Sequence, residues 1–216
     1  MLISDKKNFI FVHIYKTAGS SITRLLGPHV EERYRAKVPL IEGDGWQETW
    51  HYRCRQHAKL EELRTDPAWQ GRDLTKYRIC TVVRNPYTWA LSVWNDFYRR
   101  EADAPLWFTT LYPSRTFLEY CRVIQAAARG LAPEIWGSSP QLSFIADLEL
   151  KPTFVARFER LSQDVRNMLE FLDIAFDGMP HDIYNNPDER SDVLTFFNEE
   201  SLSIIKALLA KRNDLA

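Results

Sequence analysis

"FIFVHIYKTAGSSI", residues 9–22, is the stretch on which the fold turns. Its opening run, "FIFVHI" at 9–14, lacks the alternation of a half-exposed strand and suits a strand buried on both faces of a parallel sheet. Small residues follow, and a helix can begin behind them. A turn with Gly19 between a strand and a helix lets backbone N–H groups converge, while the helix N-terminus adds partial positive charge. Such a turn cradles phosphate. Lys16 places an ammonium at its edge, Ala18 and Gly19 keep the loop slim, and Thr17, Ser20 and Ser21 offer small hydroxyl donors. The plainer alternative is that Ser20 or Ser21 caps the helix, Gly19 serves the turn and Lys16 is solvated. In the Walker A pattern GxxxxGK[ST] the lysine follows the last glycine, whereas Lys16 precedes Gly19, so the usual ATP or GTP loop is absent.

Two more continuous apolar runs, "YRICTVV" at 77–83 and "TFVARF" at 153–158, read as strands of the same kind. Amphipathic stretches follow both. Tyr87, Ala90, Leu91, Trp94, Phe97 and Tyr98 recur at helical spacing, with Thr88, Ser92, Asn95 and Arg99 on another face. Leu161, Val165, Met168, Leu169 and Leu172 form a second stripe, "SRTFLEYCRVIQAAAR" reads as a helix, and "EESLSIIKALLAKR" closes the chain as another. Strands alternating with helices indicate an α/β architecture. Residues 28–56, with Gly43 and Gly45, and "EADAPLWFTTLYPS" at 101–114 read as irregular.

A second anion site is written in "CTVVRNPYTWALSVW". Arg84 follows the strand at the end where parallel sheets deliver ligand-binding groups. Asn85 is a good N-cap and Pro86 suits the first helical position, so both have a structural explanation. Arg84 and Ser92 can grip a phosphate through a planar fork and a hydroxyl. Arg84 taken alone serves equally as a surface ion-pair residue. Two cradles at two strand ends suit one ligand with phosphates at separated positions.

Composition narrows the rest. The 216 residues, 45% apolar, suffice for one substantial core, and a single domain over 1–216 is expected. Lys and Arg number 28 against 29 acidic residues, so the charge balance gives no footprint for nucleic acid. Cys54, Cys80 and Cys121 are few, odd in number and widely spaced, which favours a reducing cytoplasm over a disulfide framework. The run at 9–14 is too short for an export signal or a membrane span, and no other stretch is long and apolar enough to span. No cluster with metal-ligand spacing is present, so no metal is expected.

Together "KTAGSS" at 16–21, "RNPYTWALS" at 84–92 and "PQLSFIADLELKPTFVARFERLSQDV" at 140–165 resemble, in order, motifs of the sulfotransferases that use 3′-phosphoadenosine 5′-phosphosulfate (PAPS), in the branch that includes carbohydrate sulfotransferases. The resemblance implies a P-loop NTPase-like parallel β-sheet flanked by helices. It implies that Lys16, Thr17, Ala18, Gly19, Ser20 and Ser21 hold the 5′-phosphosulfate, and that Arg84 and Ser92 hold the 3′-phosphate. It also implies sulfuryl transfer to a hydroxyl or amine of a small-molecule or carbohydrate acceptor, with Lys16 neutralising charge on the leaving phosphate. His57 is the expected general base, His51 its rival, and Glu61 and Glu62 weaker ones. His13 reads as a core histidine, while His29 and His181 carry no assignment. Gln141 and Phe144 are expected near the donor or acceptor, and Arg157 and Glu159 as braces at the end of the third strand. Aromatic and basic residues in "GWQETWHYRCRQH" at 45–57 can line a sugar or polyketide site.

Tyr15 stands where the family usually has proline, Thr88-Trp89 where an Asp-Arg pair is frequent, and Arg190 is a candidate for the family's late basic residue. Two rival readings are a P-loop phosphotransferase using ATP and a non-catalytic nucleotide-binding module on the same fold.

Overall fold

The computed structural model describes residues 1–39, 46–98, 116–133, 137–176 and 193–210. The expected loops around Gly43 and Gly45 and over 101–114, together with Arg99, His181 and Arg190, lie outside the described residues. The chain divides into two compact units, one of Met1–Arg84 with Gln141–Asn186, the other of Asn85–Pro140 with Pro187–Ala216.

The first unit is built on a four-stranded sheet of order β1-β2-β5-β6, with strands β1 (Leu2–Ser4), β2 (Phe9–Val12), β5 (Arg78–Val83) and β6 (Phe154–Arg157). All four β2 residues are fully buried, as the unbroken apolar run requires. β2 and β6 lie parallel to β5, in registers Val12↔Thr81 and Val83↔Arg157. β1 runs antiparallel to β2, with Leu2 opposite Phe11. The sequence reading missed β1, whose three residues are too few to show a period. It is locked by its turn: the Glu31 carboxylate accepts from the Asp5 and Lys6 N–H groups at 3.1 and 2.7 Å and from Ser4 Oγ at 3.3 Å.

The parallel pairs need crossovers. Helix α1 (Gly19–Leu26) follows β2, and α2 (Leu60–Arg64) lies further along the same crossover. Residues 28–56, expected to be irregular, include a small antiparallel pair, β3 (Ala36–Pro39) and β4 (Trp46–Thr49), between short 3-10 turns. After β6, α6 (Leu161–Phe171) buries Leu161, Val165, Met168 and Leu169 on the expected stripe and packs on β6. Arg157 does brace the strand end, and its partner is Asp164, which accepts from the Arg157 backbone N–H at 2.9 Å and Nε at 3.0 Å.

The second unit contains α3 (Pro86–Tyr98), α4 (Phe117–Ala128) and α7 (Glu199–Ala210). Among the described side chains of α3 the most buried are Trp89, Ala90, Leu91 and Val93, which adds Trp89 and Val93 to the expected stripe. Asn85 caps this helix as expected, its Oδ1 accepting from the Tyr87 N–H at 3.0 Å. A reciprocal box between Thr116 and Glu119 starts α4, and α4 packs along α7, where Arg122 forks onto Glu200 at 2.7 and 2.8 Å. A small helix, α5 (Leu142–Ile145), belongs to the first unit and packs against α2.

Candidate active site

The loop from His13 to Ala18 joins β2 to α1 and carries the lysine motif. Lys16 and Ala18 both take left-handed backbone, with φ of 60° and 64°. Each costs a non-glycine residue on the order of 1 kcal/mol, and such conformations gather where a loop must present its N–H groups. Ala18 is the N-cap and supplies no side-chain cap. The N–H groups at the start of α1, from Gly19 onward, lie at a helix N-terminus, where an anion can be received. Neither serine is the cap, which corrects the plainer alternative. Thr17 is buried, its Oγ1 donating to the Ile14 carbonyl at 2.7 Å, so it braces the loop.

Gly19 is not needed for a left-handed turn. A Cβ there would lie 1.8 Å from Cδ2 and Nε2 of the His13 imidazole, so the glycine exists to let helix backbone sit against a histidine ring. His13 follows the last residue of β2 and is buried, in line with the core reading. Its Nδ1 lies 3.3 Å from His51 Nε2 and 3.4 Å from Gln56 Nε2.

Three histidines from distant positions thus meet under the loop. The His13 and His57 rings touch edge to face at 4.7 Å between centroids. His57 Nδ1 lies 3.0 Å from the His13 carbonyl oxygen. A carbonyl only accepts, so Nδ1 carries the hydrogen and the ring's lone pair resides on Nε2. The rival His51 is engaged on both nitrogens, with Thr49 Oγ1 2.9 Å from Nδ1, and Thr23 Oγ1 and His13 Nδ1 each 3.3 Å from Nε2. Tyr15, at the position where proline was expected, is buried and packs edge-on against both His57 and Phe144. Among the described residues no group of His, Cys, Asp and Glu side chains could hold a metal ion.

Burial is the main reason all three histidines are held neutral. It pushes His13 well below the ordinary imidazole range, His51 to about 3, and His57 down despite its hydrogen bond to the His13 carbonyl, with the neighbouring rings and the Met1 amino group acting in the same sense. Met1's own amine, buried and donating to the Arg55 and Gln56 carbonyls, is lowered to about 4. A histidine with a depressed folded-state pKa takes up its proton more readily when unfolded. Stability is therefore intact above the unfolded value of about 6.5 and drains away below it, at about 1.4 kcal/mol per pH unit for each such group. Between pH 6.5 and 5, His51 should remove about 1.7 kcal/mol, and His13 acts in the same direction. Urea unfolding at pH 7 and pH 5 checks this. His51→Gln should flatten the pH slope by one proton, and an unchanged slope would contradict the assignment.

Arg84 is the first residue after β5. Its backbone N–H donates to Gln141 Oε1 at 2.8 Å, and its carbonyl accepts from Gln141 Nε2 at 2.7 Å. The side-chain amide thus acts as a one-residue strand neighbour, a role the sequence did not reveal. The guanidinium is buried, lies 4.0 Å above the Phe158 ring, and donates from Nη1 to the Lys16 carbonyl at 3.4 Å. Arg84 and the lysine loop therefore share one place in the first unit. Ser92, half-buried on α3, belongs to the second unit, and Glu61 and Glu62 lie in the first turn of α2.

A model of the sulfotransferase family matches residues 1–182. No curated protein and no solved structure matches the chain significantly. The family match takes in the loop over α1, Arg84 with its Gln141 clasp, and the whole four-stranded sheet, and on that evidence the chain belongs to the sulfotransferase family.

Proposed function

We propose that the protein transfers a sulfuryl group from PAPS to a hydroxyl of a small-molecule or carbohydrate acceptor, an amine being the alternative nucleophile. The observation that carries this reading is the approach of Arg84 Nη1 to the Lys16 carbonyl at 3.4 Å. It supports one bound donor reaching from the α1 loop to the end of β5, as a doubly phosphorylated adenosine requires.

In this reading the N–H groups of Gly19, Ser20 and Ser21, with the Thr17-braced loop and Ala18, hold the 5′-phosphosulfate. Arg84 takes the 3′-phosphate, with Ser92 added on the motif alone. The acceptor oxygen attacks sulfur in line, the bond from sulfur to the bridging oxygen breaks, and adenosine 3′,5′-bisphosphate leaves. Lys16 neutralises the charge that grows on that oxygen. The acceptor proton passes to His57 Nε2, the nitrogen opposite the one fixed on the His13 carbonyl. A reducing, cytoplasmic setting is supported by Cys80 and Cys121, which are buried, unpaired with each other, and raised to about 12 by burial.

Thermal unfolding in the presence of nucleotide tests the donor. At 100 times its Kd, a ligand of the folded state adds about 2.7 kcal/mol, which for a chain of this size raises Tm by about 5–10 °C. Adenosine 3′,5′-bisphosphate should do so, with ADP at equal concentration giving a clearly smaller shift. An equal or larger shift with ADP would sink the PAPS reading and favour an ordinary nucleotide site.

A further inference from the structure

A cavity of about 440 Å³ in the first unit shares no residue with the loop at 13–19. Its walls come from three short 3-10 turns, Glu32–Tyr34, Tyr52–Cys54 and Pro67–Trp69, and the residues beside them. Each turn contributes an aromatic ring, and each ring carries a guanidinium: Arg33 lies 5.0 Å from the Tyr34 centroid, Arg53 5.4 Å from Tyr52, and Arg72 4.6 Å from Trp69. Tyr34 and Trp69 in turn stack on each other at 5.6 Å and 21°. The ring faces are thus engaged by arginines, so the chemistry the cavity offers is N–H donation rather than stacking.

The guanidiniums are held in place yet retain donors. Arg53 pairs with Asp66 at 2.8 Å through Nη1, Arg33 pairs with Asp5 through Nη2, and Arg72 donates to Tyr34 Oη at 2.7 Å and to Asp5 at 3.3 Å. A guanidinium has five N–H groups, so each keeps several beyond these bonds. The side chains of Arg33 and Arg53 are 58% and 56% exposed, which leaves them reachable by a solute. Arg53 also holds a left-handed backbone, φ 50° and ψ 36°, inside its turn, a conformation found where a side chain must be presented at a set angle. Contact with a ring and an ion pair or hydrogen bond restrain each guanidinium before any ligand arrives, which lowers the ordering cost of binding.

We propose that this cavity is a binding site for a tetrahedral dianion, a phosphate or sulfate group, separate from the donor site. Four arginines line the cavity; Arg35 is turned to the Val30 carbonyl, and Arg33, Arg53 and Arg72 reach it from three separate segments, which suits an anion with oxygens facing several ways. A tetrahedral group has them, whereas a carboxylate presents two oxygens in one plane. The site stands whether or not the donor reading holds, because it uses none of the same residues.

Titration calorimetry on the full chain tests it, with adenosine 3′,5′-bisphosphate saturating, and inorganic phosphate, inorganic sulfate, glucose 6-phosphate and acetate as probes. A phosphate-binding event should persist under saturation and in Lys16→Ala titrated without nucleotide. Arg33→Gln and Arg53→Gln should each weaken it about tenfold or more, and Arg53→Lys, which keeps the charge but loses the fork, should fall between. Glucose 6-phosphate binding more tightly than inorganic phosphate marks an ester as the occupant, and equal affinity marks the free anion. Unchanged binding in both Gln variants, acetate binding as well as phosphate, or no event beyond the nucleotide's would overturn the proposal. Circular dichroism melts of the variants confirm that each is folded.

Discussion

His57→Ala should lower kcat/KM for sulfuryl transfer by about 10²–10⁴-fold, the usual weight of a positioned general base, with little change in binding of adenosine 3′,5′-bisphosphate. The expectation rests on one hydrogen bond. With Nδ1–H tied to the His13 carbonyl at 3.0 Å, the imidazole is neutral, fixed in orientation, and basic at Nε2. Its pKa is depressed chiefly by burial. The wild-type rate should therefore be flat through neutrality and fall only below about pH 6.5, where His57 gains its proton. Transfer of radiolabelled sulfate to a glycan and phenol panel, followed from pH 5 to 8, gives both the rate and the limb. His57→Ala should lose the limb as well as the rate. His51→Asn should retain most of the rate, since both nitrogens of His51 are already occupied. The reverse pattern, with a fast His57→Ala and a dead but folded His51→Asn, would move the base to His51.

Gly19→Ala is expected to be the most damaging single-methyl change in the first unit. Its new Cβ would sit 1.8 Å from two atoms of a buried imidazole, and that ring cannot simply swing aside without leaving His51 and Gln56. Overpacking of this kind costs about 1–3 kcal/mol, or several degrees in Tm for a chain of this size. The start of α1 has to move instead, so nucleotide affinity should fall with stability. A double-mutant cycle isolates the cause. His13→Ala removes the obstructing ring, and if overlap is the mechanism, Gly19→Ala should cost far less in that background. Equal costs in both backgrounds would show that the glycine matters for another reason.

The chain spells out β2 and β5, where burial on both faces forces a continuous apolar run; β6 is announced by a similar run, yet of its four residues only Ala156 is buried and Val155 faces solvent, so burial on both faces was the wrong reason there. β1 is three residues long and depends on Glu31, far from it in sequence, for its turn. The β3–β4 pair lies in a stretch with no clean period. The site was legible where motif and spacing coincide, at Lys16 and Arg84. It was not legible where the decisive contact is a packing event between distant residues. No spacing shows that Gly19 faces His13, that the His13 carbonyl orients His57, or that three ring-mounted arginines share a cavity. The position of Tyr15 makes the same point. In the sequence it shows only as a departure from the family's proline, and the structure shows a ring packed against both His57 and Phe144.

The Gln141 amide has a wider consequence. Chain departs from the first unit at Arg84 and comes back at Gln141, and those two residues are fastened to each other by a pair of hydrogen bonds. The two ends of the stretch Asn85–Pro140 are thereby anchored at one point of the first unit, while the stretch itself packs with Pro187–Ala216 as the second unit. Strain arising within that stretch meets the rivet at its neck before it reaches the backbone of Arg84.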